Sequence, residues 1–176
     1  LIDDLGLTDN TIVIYGTDNG PHKNTWPDAG SSPFRNEKNS GWEGGFRVPF
    51  MVRWPGKIDA GQVVNDIMSN LDWAPTLLAA VGEPGIAEKL KSGYEAAGKR
   101  YKVHLDGYNF LPFLTGEAES GPRDRYFYFS DDGDLLALRY NNWKVHFMVQ
   151  DQPGTLEVWQ REFRNLRVPY VYNLRS

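Results

Sequence analysis

Thr11-Ile12-Val13-Ile14-Tyr15-Gly16-Thr17-Asp18-Asn19-Gly20 is the stretch on which the reading of this chain turns. The apolar, β-branched run at 11–15 predicts a buried strand, apolar on both faces as in a strand covered by helices on each side. Gly16 and Gly20 bracket the polar pair and let the backbone turn sharply and approach a ligand closely. Open α/β sheets place their chemistry at the carboxyl edge, where Asp18 and Asn19 fall. A carboxylate beside a neutral amide oxygen suits a hard cation such as calcium or magnesium. Asp-Asn-Gly is equally a good turn tripeptide, with Asp18 capping the backbone, and both readings stand at this point.

Upstream, Leu1-Ile2-Asp3-Asp4-Leu5-Gly6-Leu7 reads as the last turn of an amphipathic helix with Gly6 as its left-handed terminator. Downstream, residues 16–41 form a long polar loop rich in Gly, Pro, Asn and Ser, a length usually functional or mobile. Residues 46–53 read as a second strand, with Pro49 at an edge or bulge. Residues 70–81 predict a helix with Asp72 as N-cap and Pro75 in its first turn. Residues 82–105 read as a surface excursion with a short helix. Segments 125–130, 135–140 and 143–149 alternate as antiparallel strands do, joined by turns at Asp131-Asp132-Gly133-Asp134 and Asn141-Asn142. The aspartate run lacks the distal glutamate of an EF-hand and is read as a hairpin turn.

Composition narrows the class. The chain has 176 residues, 40% of them hydrophobic and 14% aromatic with six tryptophans, ample for a core. A net charge of −4 gives no nucleic-acid footprint. No apolar run approaches the roughly 18 residues of a membrane span. With no cysteine, disulfides, thiolate metal sites and cysteine nucleophiles are excluded within the chain.

Further motifs follow in order. Lys38 stands five residues before Glu43-Gly44-Gly45-Phe46-Arg47-Val48-Pro49, and Arg53-Trp54-Pro55-Gly56 comes next. Asp72-Trp73-Ala74-Pro75-Thr76-Leu77-Leu78, the run from Asp106-Gly107 through Phe110-Leu111-Pro112 to Leu114-Thr115-Gly116, and Leu138-Arg139 with Trp143-Lys144 complete the set. With the strand into Asp18-Asn19-Gly20, this series resembles the sulfatase (arylsulfatase) family of the alkaline-phosphatase superfamily over nearly the whole chain. The resemblance implies the later, C-terminal portion of a sulfatase, its front half lying outside this sequence. It also implies an α/β, alkaline-phosphatase-type fold. Residues 1–116 would carry the C-terminal part of the large mixed sheet, and residues 117–176 a small antiparallel sheet with a packed helix.

The resemblance also assigns roles. Asp18 and Asn19 match the second pair of calcium ligands, with magnesium the alternative ion, and the first pair would be two aspartates from the absent half. Lys38 matches the lysine that reaches the substrate sulfate, a job suited to an ammonium as a mobile point charge with three donors. Its alternative is a solvated loop lysine. His22 sits where it could contact the sulfate or the leaving group, whereas His104 and His146 are expected to be structural or exposed. Glu43 and Arg47 are expected to be structural, an Arg–carboxylate pair bracing the loop that carries Lys38. Trp42, Trp54 and Trp73 read as core or pocket wall.

Sulfatases use a cysteine or serine oxidised to formylglycine within a Cys/Ser-x-Pro-Ser-Arg pattern. Ser31-Ser32-Pro33-Phe34-Arg35 imitates it, but carries Phe34 in the fourth position and follows Asp18-Asn19-Gly20, whereas the family motif precedes it. Pro33 and Arg35 are read as loop rigidity and surface charge. The formylglycine would therefore come from the missing part, and this chain alone is expected to be inactive. The expected partner is a sulfate-ester small molecule or a sulfated glycan, without nucleic acid or a membrane span. Self-association through the uncovered strand at 11–15 is also expected. Two alternatives stay open, a phosphonate or phosphodiester hydrolase of the same superfamily and a non-catalytic binding or assembly module. The sequence leaves the compartment undetermined, and the resemblance points to a periplasmic or secreted setting.

Overall fold

A computed structural model describes residues 1–24, 30, 32–151 and 154–175. Along these the chain forms β1 (Val13–Gly16), α1 (Glu43–Phe46), β2 (Phe50–Arg53), α2 (Trp73–Ala80), α3 (Ile86–Ser92), β3 (Tyr94–Ala96) and β4 (Lys99–Tyr101). It continues with α4 (Leu111–Leu114), β5 (Arg125–Phe129), β6 (Leu135–Tyr140), β7 (Trp143–Val149), α5 (Glu157–Gln160) and β8 (Arg164–Asn173). The chain divides into two compact units, Leu1–Val13 with Arg53–Asp124, and Ile14–Val52 with Arg125–Ser176.

The first unit opens on a hydrogen-bonded turn that carries the expected glycine terminator. The Leu7 N–H donates to the Ile2 carbonyl at 3.1 Å and the Gly6 N–H to the Asp3 carbonyl at 3.1 Å. With Gly6 at φ 68°, this is the paired bonding of a Schellman terminator. At α2 the cap differs from the expectation. The helical segment starts at Asn70 as expected, through a 3-10 turn at Asn70–Asp72, but Ser69 is its N-cap. Asp72 instead closes a capping box, its carboxylate accepting the Ser69 N–H at 2.8 Å. Fully buried, that carboxylate also accepts the Tyr108 N–H at 2.7 Å and the Arg123 guanidinium at 2.6 and 2.9 Å. Thr76 accepts the Phe110 N–H at 2.9 Å, so the start of α2 anchors the segment that leads into α4. The excursion at 82–105 holds α3 and the hairpin β3–β4, with Tyr94 opposite Tyr101.

The second unit is built on a four-stranded antiparallel sheet in the order β5-β6-β7-β8. The first three strands fall where the alternation predicts them. The turn between β5 and β6 is the aspartate run, closed by Ser130 N–H to the Asp134 carbonyl at 3.0 Å. β8 carries no clear alternation and was not anticipated. The core comprises Tyr128, Leu136 and Ala137, with Phe46, Tyr126, Met148 and Phe163 packed against it.

Two local expectations need correction. Residues 43–46 form a single helical turn, so the second strand starts only at Phe50, just past Pro49. Among the described residues β1 pairs with β2 alone, and a two-stranded sheet cannot cover both faces of its strands. Ile14 is 40% and Tyr15 66% exposed, so the strand is not buried within this chain.

Candidate functional site

The residues singled out for chemistry all fall in the second unit, and backbone contacts decide how they are held. The Gly20 N–H donates to the Gly45 carbonyl at 2.9 Å, the Gly44 N–H to the Arg35 carbonyl at 2.8 Å, and the Lys38 N–H to the Pro21 carbonyl at 2.9 Å. A Cβ at Gly20 would lie 1.7 Å from the Gly44 carbonyl oxygen, and one at Gly44 would lie 2.1 Å from that of Asn36. Three chain segments therefore touch backbone to backbone, which only glycine permits. The Asp18-Asn19 turn and the Lys38 loop are tied to one another through this contact. Asn36 and Asn39, at φ 66° and 70°, take the left-handed conformation that asparagine tolerates.

Side chains are disposed around that knot. Asp18 is exposed just past the end of β1, with the Thr17 hydroxyl donating to its Oδ1 at 3.4 Å. The Asn19 amide nitrogen donates to the Gly20 carbonyl at 2.8 Å, which leaves the amide oxygen as its available donor atom. His22 leans on Trp159, ring centroids 5.2 Å apart and tilted by 54°. Its Nε2 is buried with no hydrogen-bond partner among the described residues. Lys38 Nζ lies 5.9 Å from the centroid of the same indole, and among the described residues no carboxylate pairs with it within 4 Å. The structure thus brings His22 and Lys38 to one aromatic wall, with Asp18 and Asn19 at the head of the same loop. His104 is exposed beside Asp106 at 3.5 Å, and His146 is buried against Trp42 at 4.2 Å.

The wall is held by groups that sequence reasoning missed. Glu37, fully buried, accepts the Lys23 N–H at 2.6 Å and the Thr155 N–H at 2.5 Å. Asn39 donates to the Val158 carbonyl at 2.8 Å, and Gln150 donates to the same carbonyl at 3.0 Å and to that of Arg161 at 2.9 Å. Val158 is fully buried and Trp159 faces outward. Trp159 had no signal in the sequence beyond its residue type, because its partners lie more than a hundred residues away.

Glu43 is structural, but Arg47 is not its partner. Its carboxylate accepts the Tyr128 hydroxyl at 2.7 Å and Lys144 Nζ at 2.9 Å, with Arg139 3.7 Å from the other oxygen. Lys144 also donates to the Gly41 carbonyl at 2.8 Å. Arg47 lies over the Phe34 ring at 4.4 Å. Burial alone would raise the Glu43 carboxyl, but the Lys144 charge, the hydrogen bonds from Tyr128 and Lys144, and Arg139 outweigh it and hold the carboxyl below its ordinary value. Burial lowers the Lys144 ammonium to about 8, against the pull of Glu43. At neutral pH both groups are therefore charged, a buried ion pair beneath the Gly44-Gly45 turn. In the false nucleophile motif, Ser31 lies outside the described residues, and Arg35 stacks on Trp42 at 3.7 Å.

Chemically, the turn presents a carboxylate and an amide oxygen, a donor set that fits a hard cation. The wall presents an ammonium and an imidazole nitrogen, suited to an anion.

Comparison with known proteins bears on this arrangement. The family model described as Sulfatase matches residues 1–83. Human arylsulfatase A is 35% identical over 154 residues, covering 85% of this chain and 27% of that protein. Human N-acetylgalactosamine-6-sulfatase is 31% identical over 170 residues, covering 95% of this chain and 27% of that protein. The crystal structure of the PsFucS1 sulfatase from Pseudoalteromonas sp. superposes with a TM-score of 0.82 at 32% identity, covering 99% of this chain and 32% of that one. The chain spans about a quarter of the length of these curated relatives.

Proposed function

The chain belongs to the sulfatase family and has its mixed α/β fold, and from that premise we propose that it carries part of the active site of a sulfuric ester hydrolase. Asp18 and Asn19 would hold a calcium ion, and Lys38 with His22 would bind the sulfate group. The observation that carries this reading is an ammonium without a carboxylate and a buried imidazole nitrogen without a hydrogen-bond partner among the described residues, set on one indole wall. An unpartnered buried nitrogen is costly unless something hydrogen-bonds it, and a sulfate oxygen would meet that need.

When bound, the cation would supply Lewis acidity toward a sulfate oxygen. Lys38 would add a point charge with three donors, on a loop whose backbone is fixed to Pro21. His22, two residues along from Gly20, would orient the sulfate through Nε2. Calcium takes about six to eight oxygens, so most of its ligands, and a formylglycine nucleophile, would come from outside this chain. N-Acetylgalactosamine 6-sulfate and aryl sulfates, after the names of the relatives, are the substrates to try first.

In the full-length gene product, Lys38→Ala is expected to lower kcat/KM on an aryl sulfate by about a hundredfold or more. Its calcium affinity should be unchanged, while Asp18→Ala weakens calcium binding measured by calorimetry. Wild-type kinetics in Lys38→Ala, or wild-type calcium affinity in Asp18→Ala, would overturn the corresponding assignment. A preference for phosphodiester or phosphonate substrates over sulfates would overturn the reaction class.

A further inference from the structure

The aromatic wall does more than hold His22 and Lys38. Trp159 is 44% exposed, although its ring touches both residues that would bind the sulfate. An exposed indole is normally free to change rotamer, yet the backbone beneath this one is fastened on three sides. Val158 is buried as the anchor of α5, its carbonyl takes both Asn39 and Gln150, and Glu37 clamps the Thr155 N–H. Two of those clamps, Glu37 and Asn39, flank Lys38 in sequence. The backbone on both sides of the lysine is therefore tied by hydrogen bonds to the segment that carries the indole. A flat, solvent-open indole on a tied-down backbone, 5.9 Å from a sulfate-binding charge, is what a ring bearing that sulfate would stack upon.

We infer that Trp159 is a specificity-determining residue, a platform for the ring that carries the sulfate ester. This rests on the sulfate-binding role proposed for Lys38 and His22. The ring would present an apolar face to the indole while its ester oxygen points toward Lys38. A sulfated pyranose and an aryl sulfate share that chemistry, and a short alkyl sulfate lacks it.

The test uses the full-length protein and the variants Trp159→Ala and Trp159→Phe. Each is assayed with a sulfated monosaccharide, with 4-nitrophenyl sulfate and with ethyl sulfate, and inhibition by inorganic sulfate is measured alongside. Trp159→Ala should lower kcat/KM about tenfold on one or both ring substrates, chiefly through KM. The loss on ethyl sulfate should be several-fold smaller than the loss on the ring substrates, and Trp159→Phe should recover most of the ring-substrate loss. Which ring substrate suffers more identifies the natural one. An equal loss on all three substrates, or weaker inhibition by inorganic sulfate, would mean that Trp159 only supports His22 and Lys38 and would overturn the inference. No change on either ring substrate would also overturn it. If Lys38→Ala abolishes activity while Trp159→Ala keeps wild-type selectivity, only this inference fails. If Lys38→Ala behaves as wild type, the sulfate-binding reading fails and this inference with it.

Discussion

Among single residues, the most unusual are two on β7 that point inward with charge or titratable nitrogen. Strand alternation would place Trp143, Val145 and Phe147 toward the core, yet Lys144 and His146 are the buried pair. His146 packs in a cluster with two aromatic rings, Trp42 at 4.2 Å and the edge-on Tyr172 at 5.8 Å, which also touch each other at 5.6 Å. Burial, followed by the nearby Lys144 charge, lowers its imidazole to about 4 from the ordinary 6.5. Between those values the unfolded chain binds more protons than the folded one, so stability rises with pH across that window and is lost as pH falls through it. Replacing His146 by Phe removes the titrating group while keeping a ring packed against Trp42 and Tyr172. Urea unfolding of the full-length protein from pH 4.5 to 6.5 should show a shallower pH slope for His146→Phe than for wild type. Parallel slopes would mean that His146 is not held neutral in the fold.

Among elements, α2 shows how a cap can belong to tertiary structure. The sequence pointed to Asp72 as the residue that starts this helix, and its carboxylate does serve the first turn. The same two oxygens also neutralise the buried Arg123 and hold the Tyr108 N–H. Asp72→Asn keeps a cap acceptor but removes the buried carboxylate charge that faces the Arg123 guanidinium, at an expected cost of about 3–5 kcal/mol. Ser69→Ala, which removes only the cap hydroxyl, should cost about 1 kcal/mol. Chemical denaturation of the two variants compares them directly, and equal losses would show that the ion pair adds nothing to the cap.

At the scale of the whole molecule, the β1–β2 sheet leaves apolar surface open, with Ile14, Tyr15 and Met51 (61% exposed) all facing solvent. Such a strand pair recruits another strand or surface where it can. The 176-residue chain, expressed by itself, is expected to self-associate as its concentration rises, as seen by light scattering coupled to size exclusion. A monomer at high concentration that binds little hydrophobic dye would refute this.

Local order was legible in the sequence, and its reach ended where distant segments meet. The Gly6 terminator, the Asp18-Asn19-Gly20 turn after a β-branched run, the α2 start and the strands β5 to β7 are each set by residues within a few positions of one another. Backbone sterics and period-two alternation act over that range, and so these features could be read directly. The family, too, was legible, because its motifs are short and stand in order. What only the tertiary structure decided is which side chain meets which. Glu43 pairs with Lys144, 101 positions away, and not with Arg47, four positions on. Asn39 reaches the Val158 carbonyl 119 positions away, and with it Trp159 arrives beside Lys38 and His22. A charge or an indole has no periodicity that names its partner. The antiparallel sheet selects that partner, by carrying α5 back to the loop where Gly20, Gly44 and Gly45 let the backbones touch.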